Sequence, residues 1–264
     1  MNHGSLGRPF SFAVVKKKHN NNVPWKLGVL FLLVLSLPTR TMANTCDTAT
    51  STSHHQVEGV HWPLEKDLEH HPHDVGSSSM SGTPQAPSHR LRLNGAGVRS
   101  INFFGWEFKV YVAGFYHSFP NPLQSTDDVY EAVQKHPMQF DFTFLRTVPQ
   151  AKVTEAWQMQ LEHSVDHRYD DYERDRDTFI ASFGPIAERG TVSVCLHPCG
   201  RTVLVDQGAR RAVIESHNFQ RAFLSMWFGP KAVHPDLKNG LLSGLHAKYT
   251  QQQQQPQVVS LEGA

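Results

Sequence analysis

Cysteine is scarce in this chain. Cys46, Cys195 and Cys199 are the only three among 264 residues. An odd, low count excludes a disulfide framework as the basis of the fold. Cys195 and Cys199 bracket a predicted turn at Leu196-His197-Pro198. Three readings stand there: a cross-hairpin disulfide in an oxidising compartment, two thiols beside a turn, or a metal site completed by His197. No second ligand pair with metal-site spacing occurs elsewhere. Basic charge is also in short supply over most of the length. The first 44 residues hold six of the 25 Lys and Arg and none of the 24 Asp and Glu, which leaves 19 basic against 24 acidic residues in the body. A mildly acidic body excludes a nucleic-acid partner, which needs a basic face. Missing too are a Gly-x-Ser-x-Gly elbow, a phosphate-binding loop, a Gly-x-Gly-x-x-Gly turn before a helix, and EF-hand spacing in the acid-rich run 166–177. No internal repeat is present. No cofactor and no metal is expected.

What is present begins with an address. Lys16, Lys17, Lys18 and Lys26 precede the apolar run Leu27–Leu37, and Ala43 follows as a small residue before Asn44. The run has the length of a signal-peptide core and is short for a membrane span. Residues 1–43 therefore read as a targeting segment cleaved near Ala43, which implies the secretory pathway or the extracellular space. An uncleaved signal anchor, or a transit sequence for a plastid or another organelle, is the alternative. A membrane contact is expected only through such an uncleaved segment.

Residues 44–56 are rich in Ser, Thr and His and read as a disordered linker. Residues 57–245 read as one domain, with 39% of the whole chain apolar, enough to build a core without staples. Val57–Pro63 is a short predicted strand. The polar stretch 66–88 reads as an inserted surface loop, and its His70, His71 and His73 as solvated side chains. Leu91 and Leu93 alternate with polar residues in a half-buried strand that Gly95-Ala96-Gly97 breaks. Val98–Phe104 and Trp106–Tyr116 then form a hairpin rich in aromatic and β-branched residues. Ser125 caps a helix from Thr126. Met138, Phe140, Phe142 and Phe144 alternate with polar residues, a strand with one apolar face. Pro149 opens a helix with Val153, Ala156, Trp157 and Leu161 at helical spacing. A second helix carries Phe179, Ile180, Phe183 and Ile186. Val192 and Val194 pair with Val203 and Val205 around Pro198 and Gly200, and Val213-Ile214 adds a strand. Phe219, Ala222, Phe223, Met226 and Trp227 share a helix that ends at Gly229-Pro230, and residues 236–245 close the domain with a short helix. Residues 246–264 read as a disordered Gln-rich tail. The order of elements is α+β with mainly antiparallel strands.

Arg99 stands out among the polar residues. It sits beside Val98, one step past the Gly-Ala-Gly segment, in apolar surroundings. Pointing inward it needs an anion; pointing outward it is an ordinary strand arginine.

Leu93-Asn-Gly-Ala-Gly-Val-Arg99 resembles the chalcone isomerase-like family. Glu58-Gly-Val-His-Trp-Pro63, Lys109-Val-Tyr-Val-Ala-Gly-Phe-Tyr116 and the stretch from Ile214 to Lys238 resemble its opening strand, second hairpin arm and C-terminal helices, in the right order. The resemblance implies an open-faced β-sandwich, a large antiparallel sheet backed by helices with a ligand cleft between. In the isomerase branch a motif arginine steadies a phenolate. A threonine and a tyrosine polarise the ketone through water, and an asparagine and a Thr or Ser hold the far ring. The non-catalytic branch binds fatty acids through the arginine and a tyrosine.

Carried over position by position, the arginine is Arg99. The threonine falls on Tyr111, the catalytic tyrosine on Pro149, the asparagine on Ala156 and the far Thr or Ser on Met226. The resemblance thus implies a non-catalytic binder of a fatty acid or similar apolar carboxylate. Arg99 and Tyr111 would hold the carboxylate, and Met226 and Trp227 would line an apolar cleft. The alternatives are an intramolecular lyase that cyclises a phenolic enone, with Tyr111 as its one candidate for polarising the ketone, and a structural or interaction protein whose cleft is filled by its own side chains.

Overall fold

The computed structural model describes residues 54–68, 89–165 and 169–254. The targeting segment, most of the His-rich insertion with His70, His71 and His73, and the end of the Gln-rich tail lie outside these residues. Nine strands and six helices follow in chain order. Strands β1 (His54–Val57) and β2 (Val60–Pro63) form a hairpin. Then come β3 (Glu65–Asp67), β4 (Arg90–Phe103) and β5 (Trp106–His117). Helix α1 (Thr126–Ala132) leads to β6 (Met138–Phe144), and α2 (Gln150–Ser164) and α3 (Tyr172–Ala181) follow. Strands β7 (Thr191–Leu196), β8 (Arg201–Asp206) and β9 (Ala209–Glu215) complete the sheet, and α4 (His217–Phe228), α5 (Pro235–Leu241) and α6 (Leu245–Gln254) close the chain. Strands β3 to β9 make one antiparallel sheet in strict sequence order. This is the α+β sheet-and-helix architecture that the sequence implies.

The period of two divides the sheet into two faces. One carries Tyr111, Ala113 and Phe115 of β5 beside Phe140, Phe142 and Phe144 of β6, and Val192, Val194 and Leu204 beyond. Helices α1 to α5 cover it with Val129, Val153, Leu161, Phe179, Phe223, Met226, Trp227 and Leu237, all buried. The other face holds Leu91, Leu93, Val112 and Tyr116, covered by Trp62 of the β1–β2 hairpin and by Leu245 and Tyr249 of α6. Between them, the two cores bury most of the aromatic side chains along β5 and β6, each worth about 1.5–3 kcal/mol of transfer free energy.

The Gly-Ala-Gly segment does not break the strand. β4 runs through it from Arg90 to Phe103. The glycines serve a close approach instead: a Cβ on Gly95 would lie 2.1 Å from the carbonyl oxygen of Gly240, and one on Gly97 would lie 2.9 Å from Leu237 Cδ1. Helix α5 therefore rests directly on β4. Three boundaries also move outward. β1 starts at His54 inside the predicted linker, because it pairs with β2 and His55 packs edge-on against Tyr249. β3 uses Lys66 and Asp67 of the predicted insertion to pair with β4. Helix α6 extends to Gln254, well into the predicted tail, because Leu245 and Tyr249 anchor its first turns on the second core.

The capping residue Ser125 does what its position suggests. Its hydroxyl accepts from the Asp128 amide, and Asp128 reaches back to the Ser125 amide. This closes two helix-end donors at once. Cys195 is buried and Cys199 exposed, and no disulfide joins them across that turn. Among the described residues no group of three His, Cys, Asp or Glu side chains is placed to hold a metal.

Candidate functional site

The β4–β5 pairing shifts register twice, between Leu93 and Gly95 and between Arg99 and Ser100, on either side of the glycine segment. Leu93 pairs with Tyr116 and Gly95 with Phe115, so Asn94 is an extra residue bulged out of register. A bulge turns a side chain that alternation would place elsewhere, and here it sends Asn94 under the helices. Past the glycines the register brings Arg99 opposite Tyr111. Both therefore lie on the helix-covered face, and both are half-buried. Of the two orientations open to Arg99, the structure selects the inward one.

The Arg99 guanidinium donates to the carbonyl oxygen of Ser100. No carboxylate among the described residues pairs with it. Burial pulls its pKa below the ordinary arginine value, and the phenol of Tyr111 opposes that shift. Burial pushes the Tyr111 phenol upward, with Arg99 acting the other way. The phenol thus stays protonated and able to donate throughout the neutral range. Its hydroxyl has no hydrogen-bond partner among the described residues. Arg99 and Tyr111 are donors on paired strands, with no carboxylate among the described residues to receive them.

Behind them the interior is aromatic. The Tyr111 ring meets Phe142 and Phe144 at centroid distances of 5.5 Å and Trp227 at 6.3 Å. Trp227 touches Phe142 at 5.3 Å and Trp157 at 6.0 Å, and Trp157 stacks on Phe183 at 5.2 Å. Edge-on and offset ring pairs at these distances are favourable beyond their burial. Met226 is fully buried in the same core. The space between sheet and helices is occupied by these rings. The indole N–H of Trp227 is buried there without a hydrogen-bond acceptor.

Four predicted site residues, Arg99, Tyr111, Met226 and Trp227, thus share the helix-covered core. The other carried-over positions do not. Pro149 caps the start of α2 and is exposed, and Ala156 lies on the outer face of α2. A small apolar residue at helical spacing fits either face of a helix, and Val153, Trp157 and Leu161 already complete the inward stripe. Trp157 therefore stands in the interior where the isomerase asparagine was expected. The sequence also gave no sign that Asn94 is a hub. Its amide nitrogen donates to the carbonyls of Leu123 and Leu241, both at 2.8 Å, and its oxygen accepts from the Leu123 amide at 2.8 Å and meets His117 Nε2 at 3.1 Å. The two donated bonds fix which end of the amide is oxygen, so His117 must carry its proton on Nε2.

None of the curated proteins matches the chain. Among solved structures it is similar to the fatty-acid binding protein AtFAP1 of Arabidopsis thaliana, at 14% identity and a TM-score of 0.49, over 69% of this chain and 98% of that one. A family model described as chalcone isomerase-like matches residues 73–243. That span includes the glycine pair, Arg99, Tyr111 and the whole helical cover. The chain belongs to the chalcone isomerase-like family.

Proposed function

We propose that the protein is a non-catalytic member of this family that binds a fatty acid or a similar apolar carboxylate, with Arg99 and Tyr111 as the carboxylate clamp. The observation that carries the reading is the half-buried Arg99 guanidinium, unpaired with any carboxylate of the described residues and facing the unpartnered Tyr111 hydroxyl. A buried cation without an anion is costly, and a ligand carboxylate removes that cost. The aromatic interior supplies an apolar surface for the tail, which must displace ring contacts as it enters. Each charge-assisted bond contributes about 1.5–3 kcal/mol. Loss of the guanidinium should then weaken binding roughly thirtyfold, about 2 kcal/mol.

A second reading rests on the filling itself. If the rings seen between sheet and helices never part, the domain is a rigid interaction module. Native mass spectrometry of the chain purified without detergent separates the two. Under the first reading a fatty-acid mass co-purifies and is lost in Arg99→Ala. An empty protein that takes up no added long-chain fatty acid sinks the first reading and favours the second. Cyclisation of a chalcone above the uncatalysed rate is not expected, because Pro149 and Ala156 offer no hydroxyl or amide side chain and face outward. A rate abolished by Tyr111→Phe would restore the isomerase.

A further inference from the structure

The β4–β5 hairpin ends in two aromatic side chains turned to water: Phe104 is 88% exposed and Trp106 is 74% exposed. They head the exposed large apolar residues of the described chain. The turn itself supplies an internal comparison. Three hairpins close with a residue in the left-handed region followed by glycine: Glu58-Gly59, Phe104-Gly105 and Gln207-Gly208. Asn or Asp suits the first position of such a turn. The other two hairpins place polar side chains there, whereas this one places a phenyl ring. Neither turn geometry nor core packing calls for it.

The end of the sheet beneath the tip carries Lys109, Arg146 and Arg189 beside Glu58, Glu107 and Glu188. Arg146 donates through Nε to the Lys109 carbonyl at 2.8 Å and lies over the Phe108 ring. Arg189 sits beside it, its amide bonded to the Phe144 carbonyl. Neither guanidinium has a carboxylate partner among the described residues. Lys109 pairs with Glu58, and Glu107 and Glu188 are the remaining acids at this end. Exposed Trp and Phe above unpaired guanidinium groups match a phospholipid interface, where aromatic rings enter the headgroup layer and cations meet phosphate. No helix among the described residues is long and apolar enough to cross a membrane.

We infer that the β4–β5 hairpin docks on phospholipid bilayers by inserting Phe104 and Trp106 into the headgroup layer, with Arg146 and Arg189 against lipid phosphates. Arg99 lies five residues before Phe104 on the same strand, roughly 15 Å below the tip. Docking therefore sets the carboxylate clamp just under the membrane surface; this link to ligand delivery rests on the carboxylate-binding reading, while the docking does not.

The test compares the full chain with its Phe104→Asn/Trp106→Thr variant. Both carry Leu32→Gln and Leu35→Gln, so that the N-terminal apolar run cannot hold either on lipid. Asn-Gly suits this turn better than Phe-Gly, so the variant should melt no lower than its parent. Sedimentation with phosphatidylcholine vesicles, with and without phosphatidylserine, should show the variant partitioning about tenfold less or weaker still. Brominated lipid should quench a part of the parent's tryptophan emission that the variant lacks. Equal partitioning of the two chains overturns the proposal. So does a parent that ignores vesicles but forms a dimer the variant cannot form, because the tip's occupant is then a second copy. Fatty-acid retention, measured on both chains by native mass spectrometry, is a separate reading. Vesicle binding by a ligand-free chain leaves docking intact and removes the carboxylate function; ligand retention without vesicle binding does the reverse.

Discussion

Acid should loosen this fold at one identifiable place. His117 is 3% exposed, and burial draws its pKa from 6.5 down to about 4; the Phe119 backbone opposes the shift, and Arg92, His136 and His246 add to it. Its Nε2 proton is committed to Asn94, so an added proton must go to Nδ1 inside the core. Below about pH 6.5 the unfolded chain takes up a proton that the folded chain refuses. Stability from this group is therefore complete above that pH and falls as pH drops toward 4. The two pKa values give a loss of about 2.5 kcal/mol by pH 4.5, and about 3 kcal/mol in full. Urea unfolding near pH 7 and near pH 4.5, on the wild type and on His117→Gln, isolates the effect. Glutamine keeps a donor for Asn94 but cannot titrate. The wild type should lose about 2.5 kcal/mol more than the variant between the two pH values. Equal losses in both chains refute the argument, and with it the tautomer deduced from the Asn94 bonds.

Two further substitutions probe the packing around the site. Gly95→Ala places a methyl group against the backbone of Gly240 and Leu241, which cannot swing aside, so α5 must lift from β4; the expected loss is about 3 kcal/mol, read from denaturant midpoints. A smaller loss than about 1 kcal/mol means the contact is looser than described. Trp227→Phe removes a buried N–H that has no acceptor, and this gain offsets part of the lost ring, so the variant should fall within about 1 kcal/mol of wild type, whereas Trp227→Ala costs about 3–5 kcal/mol. Equal costs for the two variants would show that the indole N–H is bonded after all.

Much of the sheet was legible because its signals are local. Met138 to Phe144 alternate without exception, the α4 residues recur at helical spacing, and Ser125 sits one residue before its helix. What escaped depends on partners far along the chain. Gly95 and Gly97 look like a strand break until the helix at residues 235–241 is laid across them. Arg99 could face either way until those glycines, two and four residues back, are seen beneath a helix. Asn94 reads as an ordinary polar strand residue because nothing local announces a bulge. The Gln-rich stretch after Tyr249 has no apolar stripe of its own and is helical because the turns before it are already anchored. The aromatic tip was in plain view at Phe104 and Trp106, yet its exposure follows from the turn alone and not from any pattern of periodicity.

The strict sequence order of strands β3 to β9 has a bearing on how the protein is made. A chain leaving the ribosome presents each new strand to a neighbour that has already emerged, so the sheet can grow edge by edge, with α2 and α3 made before β7 reaches β6. One contact cannot be made in this way. The Asn94 amide waits for the Leu241 carbonyl, 147 residues downstream. Until that carbonyl arrives, the glycine groove of β4 lies open to water, and the last helices to be synthesised are the ones that seal the first half of the sheet.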